Sequence, residues 1–279
     1  GFDHVREIAG PRALAEVSCE LTDRWQEAGV LEAYRADLLD RYQDGCAHKV
    51  RPSVLPDALY PDLWLTGVAL EELARMPQDR PWLLWVNFPG PHEPFDVPVS
   101  WRGHHGDIPL PEPRPTDAEE LERCAPEGSE LARKLKRWPD GLPAEAVQDF
   151  RADYADHLHL LDAQIGELLK ALADRRDGSQ TAVSVCSDHG ELLGDWGLLL
   201  KGCFLEGAMR SLFLHRPPSG RSWPRRLWQP KGRPHGLTQC LWDAAAAVSW
   251  PQEGSFGWRL RRQGPEVRVE FATETLTLR

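Results

Sequence analysis

The sequence predicts an α/β fold: a mixed, mostly parallel sheet flanked by helices, with a small antiparallel sheet at the carboxyl end. Three observations predict it. The run Trp82–Phe88 is apolar on both faces, and Thr181–Cys186 is a β-branched, largely apolar run; strands covered by helices on both sides look like this. Between them, Phe150, Tyr154, Leu158, Leu161, Ile165, Leu168 and Leu172 form one apolar stripe at helical spacing within 144–173. Residues 258–260, 267–271 and 275–278 are short alternating segments that read as strands of a terminal sheet.

The remaining elements follow in order. Leu14, Val17, Leu21 and Trp25 recur at helical spacing, as do Leu31, Tyr34, Leu38 and Tyr42 beyond Gly29. Gly29 supplies the stop between them. Pro52, Pro56 and Pro61 mark a loop, and a third helix is expected over 63–75, ended before Pro77. Residues 96–116 contain Pro98, Pro109, Pro111, Pro113 and Pro115. This is an extended loop, either a substrate wall or a surface insertion, followed by charged helical sequence after Thr116. Residues 211–215 read as a further strand and 237–248 as a helix. The division expected is a catalytic α/β part over 1–218 and a loop, helix and small subdomain over 219–279.

The chain has 279 residues, 41% hydrophobic and 27% charged, which suffices for a large core. Its net charge of −10 argues against a general nucleic-acid binder. Arg216, Arg221, Arg225, Arg226, Lys231 and Arg233 form a basic stretch interleaved with Pro and Gly, read as a solvated loop. No run of about 20 apolar residues occurs, so no membrane span is predicted. The six cysteines lack Cys-x-x-Cys spacing, which speaks against a zinc site or a disulfide framework and suits a reducing compartment.

The most informative segment is Ser187-Asp188-His189-Gly190-Glu191, directly after the second strand. Open α/β sheets place their chemistry at the carboxyl ends of strands. Asp188 offers a hard oxygen and His189 an imidazole nitrogen, while Gly190 lets the backbone turn away. The first strand ends in Pro89-Gly90-Pro91-His92-Glu93-Pro94-Phe95-Asp96, whose prolines stiffen the loop around His92. Alone, each residue has an ordinary reading: an Asx turn beside a satisfied imidazole for Asp188 and His189, a loop histidine for His92, a surface lysine for Lys201. His157 and His159, two apart on a helix, face different directions and make no metal pair. Trp82, Trp85 and Trp242 read as core, and Trp101 and Trp196 as cleft-lining.

Taken together, three segments in order over about 81–215 resemble the sulfatases of the alkaline phosphatase superfamily. These are the Pro-His-x-Pro-Phe loop at His92, the Asp162-Ala163-Gln164-Ile165-Gly166 step, and Ser187–Glu191 continuing through Lys201 to Arg210. Trp196 departs from the family form, which often has His there. The resemblance implies an alkaline phosphatase-like fold and a divalent metal held by Asp188 and His189, Ca²⁺ foremost, with Mn²⁺ or Zn²⁺ also suited to imidazole. It makes His92 and Lys201 catalytic groups acting on a small anionic ester, with Glu191, Asp195, Glu206 and Arg210 bracing the loop. The family's nucleophile is a Cys or Ser in a Cys/Ser-x-Pro-x-Arg segment near the amino terminus, and neither the six cysteines nor any serine is read as standing in that context. The chain is therefore expected to be a fragment, a sulfuric ester hydrolase poorly active by itself. The alternative is a phosphodiester or phosphonate monoester hydrolase, and the reading of another class is a catalytically silent binding remnant.

Overall fold

The computed structural model describes residues 2–43, 49–105 and 109–220, and beyond them the backbone of three strands. A 3-10 turn at Ala13–Ala15 leads to helix α1 (Glu20–Glu27), whose entry is fixed by the Cys19 N–H donating to Thr22 Oγ1 at 2.7 Å. Gly29, at φ +73°, ends it as expected, because that conformation costs a side-chain-bearing residue energy. Helix α2 (Leu31–Arg41) turns back, and Leu14, Leu21, Trp25, Tyr34 and Leu38 close a first core with Tyr60 and Leu160. Val17, expected on the first apolar face, is 44% exposed, since the chain leaves helical geometry between Ala15 and Glu20.

Helix α3 (Pro61–Arg75) begins two residues earlier than the sequence suggests, because a proline at the first helical position lacks only an N–H that would go unused. Two short helices, α4 (Ala118–Cys124) and α5 (Glu130–Arg137), fill the charged segment after the proline-rich loop. Asp117 and Ser129 cap them by accepting the N–H groups of Glu120 and Ala132. Helix α6 (Ala144–Ala173) has the predicted bounds and packs against α3.

Its buried face differs from prediction. The residues turned inward include Phe150, Asp153, His157, Leu160, Leu161 and Gln164, while Leu158 is 48% exposed. The face shares Phe150, Leu161 and Leu172 with the apolar stripe and is turned from it by about 60° around the helix. Hydrophobic spacing cannot register this, because four of the nine buried positions are polar, and Asp153, Asp156 and His157 have partners on α3 and the loops.

Strand β1 (Val183–Cys186) pairs with β2 (Phe213–Arg216) in a two-stranded sheet. Strands β3 (Arg259–Gln263), β4 (Glu266–Glu270) and β5 (Thr275–Leu278) form the expected antiparallel sheet, with Leu260 opposite Val269 and Val269 opposite Leu276. Residues 1–181 with 185–214 form one compact unit, and 182–184 with 215–279 another. Within the second, Ser184 and His215 are hydrogen bonded at 2.9 Å. The helix expected over 237–248, Trp242 and the basic residues from Arg221 to Lys231 and Arg233 lie outside the described residues.

The large parallel sheet is absent among the described residues. Residues 82–88 run without a paired neighbour, and side chains alternate between half-buried and exposed. Leu83 is 68% and Trp85 47% exposed, so Trp85 is not core. Trp82 is anchored instead, its indole N–H donating to Asp177 at 2.7 Å under the Arg175 guanidinium. An apolar run records a capacity to be a strand; a strand itself needs another backbone to bond.

Leu160→Ala, at a fully buried position outside the predicted stripe, is expected to cost about 2–5 kcal/mol, whereas Leu158→Ala stays within about 0.5 kcal/mol. Urea unfolding of both variants checks which stripe of α6 carries the core.

Candidate active site

The loop over 89–98 is built around two buried charged groups. Arg41, 1% exposed, pairs with Asp37 at 2.6 Å and donates to the carbonyls of Lys49, Arg51, Pro52 and Phe95. A guanidinium has five donors, so one buried Arg can satisfy several carbonyls that turn away from regular structure. Asp62, on the first turn of α3, is the second group. Its Oδ1 accepts the Gly90 N–H at 3.0 Å, and its Oδ2 faces His157 Nε2 of α6 at 3.0 Å. A Cβ at position 90 would stand 2.1 Å from His157 Nε2, so only glycine lets the loop approach the pair this closely.

His92 lines a narrow cavity with Tyr34, Tyr60, Asp62, Asp96 and His157. Its Nδ1 lies 2.6 Å from the Glu93 carbonyl oxygen, which can only accept, so Nδ1 carries the proton and Nε2 keeps a lone pair. Burial pulls the imidazole below its usual range; Glu93 opposes this, and Lys201 and Arg12 add to it. His92 is thus a neutral acceptor at Nε2 near pH 7.

Lys201 meets this loop through Glu93. The Glu93 carboxylate, buried from solvent, takes Lys201 Nζ at 2.5 Å on Oε2 and Arg12 Nη2 at 3.2 Å on Oε1. His92 Nδ1 is 3.1 Å from the same Oε2. The structure therefore brings His92 and Lys201 together, on one shared carboxylate.

Asp188 and His189 follow β1 as expected. Ser187 fixes the strand end, its N–H donating to Leu212 O at 3.0 Å and its Oγ accepting the Leu212 N–H at 2.8 Å. Both side chains are solvent-accessible, with Asp188 Oδ2 and His189 Nε2 3.4 Å apart. His189 Nδ1 donates to the Gly190 carbonyl at 2.8 Å, which leaves Nε2 as the free lone pair. Gly190 serves a different purpose from the turn expected of it. A Cβ there would meet the Gly207 carbonyl oxygen at 2.1 Å, so its need is close backbone approach.

The segment from Gly190 to Lys201 is strained and pinned. Leu193, Trp196 and Leu200 have φ of 46°, 55° and 69°, each costing of order 1–3 kcal/mol. Buried Leu192, Leu198 and Leu199 hold it. Trp196 is 2% exposed, donates to Glu120 at 2.9 Å and lies under Arg114, so it is a core plug and not a cleft wall. Asp195 accepts from the Arg114 N–H and from Arg151, both at 2.9 Å, and Glu206 pairs with Arg114 and Arg210, in the bracing role expected. Burial pushes Glu191 up to about 6, against the opposing charge of Lys201.

Sequence reasoning missed Glu93, Arg12, Asp62 and the buried role of His157. The signal for Glu93 is a charged residue between His92 and Pro94 in an otherwise apolar stiff loop, where a buried carboxylate requires partners. His157 faces Asp62, while His159 stacks near Trp101 and His104. One serine does stand in Ser-x-Pro-x-Arg spacing, Ser222-Trp223-Pro224-Arg225-Arg226, which corrects the reading that the chain holds no such segment. It follows Asp188 in the chain, the reverse of the family order, and lies outside the described residues.

The sulfatase family model matches residues 29–233. The chain belongs to the sulfatase family. An arylsulfatase of Clostridium perfringens is 28% identical over 187 residues, 67% of this chain and 38% of that protein. A choline-sulfatase of Rhizobium meliloti is 30% identical over 150 residues, 53% of this chain and 29% of that protein. Among solved structures, a phosphonate monoester hydrolase of Agrobacterium radiobacter matches with a TM-score of 0.54 and 22% identity, over 71% of this chain and 41% of that one. That likeness shows a shared fold over the matched parts of the two chains. This sulfatase-family chain spans less than half the length of each of these relatives.

Two predictions follow from the buried groups around the cavity. Asp62→Ala strands His157 and the Gly90 N–H, and is expected to cost about 3–5 kcal/mol in urea unfolding. Burial pushes Asp96 up to about 7 and Asp153 to about 6. Burial alone would lower His157, but Asp62, Asp96 and Asp153 outweigh it and raise it. In all three the folded state holds the proton more tightly than the unfolded one. Their contribution is complete below the unfolded values and lost as pH rises through the folded ones. Stability from the two aspartates therefore falls between about pH 4 and about pH 7, and His157 adds to the loss above its ordinary value. Asp96→Asn, which cannot titrate, should flatten the difference between urea midpoints at those two pH values.

Proposed function

We propose that this chain carries part of the active site of a metal-dependent hydrolase of sulfuric esters. The single observation that supports it is the buried Glu93 carboxylate that joins His92 to Lys201. In-line attack on a sulfate ester builds negative charge on the leaving oxygen, and the sulfuryl oxygens need fixed positive charge nearby. Lys201 supplies that charge as a compact ammonium. His92 begins neutral, accepting at Nε2; a bound anion beside it favours uptake of a proton, which it then holds for the leaving oxygen.

Asp188 and His189 fit a divalent ion as two members of an open ligand set. One offers a hard oxygen, and the other an imidazole whose second nitrogen is tied to a carbonyl, the orienting bond common behind ligating histidines. Ca²⁺ suits the oxygen, while the imidazole also suits Mn²⁺ or Zn²⁺. Such an ion supplies Lewis-acid charge to an ester oxygen when bound.

The same groups serve a phosphonate monoester or phosphodiester, and the fold likeness to the phosphonate monoester hydrolase supports that alternative. The relatives named as sulfatases favour the sulfate ester.

Calorimetric titration with 4-nitrophenyl sulfate, Mn²⁺ and Ca²⁺ tests the reading. Lys201→Ala should weaken ester binding about tenfold or more, the worth of one charge-assisted hydrogen bond. Asp188→Ala and His189→Ala should each lower metal affinity, and the wild-type affinity should drop in acid because a ligating imidazole must shed its proton. Unchanged ester affinity in Lys201→Ala defeats the reading in favour of a protein that keeps the fold without the chemistry.

A further inference from the structure

The carboxylate of Glu93 stands where an enzyme for anions would ordinarily tolerate no negative charge. It is 3% exposed and directly contacts Lys201, the cation assigned above to the ester. A second cation, Arg12, meets its other oxygen. A buried carboxylate costs several kcal/mol to desolvate unless it is paired and hydrogen bonded, and here both oxygens are engaged. Two features follow directly from its position. The residue's own carbonyl fixes the Nδ1–H tautomer of His92, and its side chain fixes the ammonium of Lys201. Its charge also acts on whatever anion Lys201 receives.

We propose that Glu93 is a positioning and specificity-determining residue, a buried counter-anion that holds Lys201 and His92 in register and selects singly charged esters over doubly charged ones. Its repulsion scales with the charge of the ligand, so a dianion feels twice the penalty of a monoanion. Sulfate monoesters, phosphonate monoesters and phosphodiesters carry one negative charge at neutral pH, and phosphate monoesters carry two. The selection accordingly favours the substrate class of either reading given under Proposed function, on which its ester part rests, and disfavours phosphate monoesters. Lys201 and Arg12 attract either ligand in proportion to its charge, so Glu93 acts by reducing the advantage a dianion would otherwise have.

The groups that face His92 set the second readout. Glu93 raises its proton affinity, and Lys201 and Arg12 lower it. Asp62, Asp96 and His157 line the same cavity. Removing the Glu93 charge leaves the two cations unopposed, so His92 should become harder to protonate.

The experiment uses the chain as it is, with 4-nitrophenyl sulfate and 4-nitrophenyl phosphate at about pH 8, where the first is a monoanion and the second a dianion. Glu93→Gln should strengthen phosphate-ester binding about tenfold more than sulfate-ester binding. Glu93→Asp keeps the charge but draws it back, and should keep most of the discrimination. In parallel, NMR titration of His92 should show its midpoint falling by about one pH unit in Glu93→Gln. Equal changes for the two esters, or an unmoved His92 midpoint, overturn the proposal and leave Glu93 a brace. If the wild-type chain binds neither ester, the ester reading of the site falls, and the His92 titration alone decides whether Glu93 is its counter-anion. Should Glu93→Gln not fold, Glu93→Asp, whose carboxylate is drawn back by one methylene, must move His92 part of the way in the same direction; no movement overturns the proposal.

Discussion

Asp62 is the interaction on which the rest of this structure depends. Both its oxygens are used, one by the Gly90 N–H and one by His157. Through it α3, α6 and the loop that carries His92 become one body. A loop with prolines at 89, 91, 94 and 98 has few N–H groups to bond with, so its placement relies on a handful of side-chain acceptors. The side chain of Asp62 reaches the loop at the single glycine that allows contact, and a Cβ there would displace the pair.

The consequence is a polar interior beneath the site. Asp96, Asp153, Asp156 and His157 are all buried within reach of α6 and the proline loop. Asp156 accepts the N–H groups of Gly103 and His105 and the His105 ring, which turns the loop after Trp101 back onto the helix. Such a network is rigid where its members are matched, and its cost gathers at Asp153 Oδ2, which has no hydrogen-bond partner among the described residues. Rigidity is what His92 needs, since a proton donor or acceptor is effective only within hydrogen-bond reach of the reacting atom.

On the other side, the chain from Gly190 to Lys201 is held by its core. Three residues with side chains occupy left-handed backbone, and buried leucines and Trp196 keep them there. Backbone in such a state persists only when packing over-determines it. Lys201 thus arrives at Glu93 from a segment whose shape is set by hydrophobic burial, while His92 arrives from one set by hydrogen bonds. Their meeting on one carboxylate joins the two kinds of order.

The sequence by itself determined the local elements: the bounds of α6, the stop at Gly29, the terminal antiparallel sheet, and the placement of Asp188 and His189 after a strand. These depend on neighbours a few residues apart, where periodicity, glycine and proline act directly. It also singled out His92 and Lys201, through segments that resemble a family. Only the tertiary structure decided what lies between them. Glu93, Arg12 and Asp62 are ordinary charged residues in the sequence, and their roles come from burial and from partners scores of residues away. The same reason explains two of the departures from expectation. The inward face of α6 carries polar groups among its apolar ones because those groups have polar partners, and the run at 82–88 is unpaired among the described residues because a strand is a property of two chains of backbone and not of one.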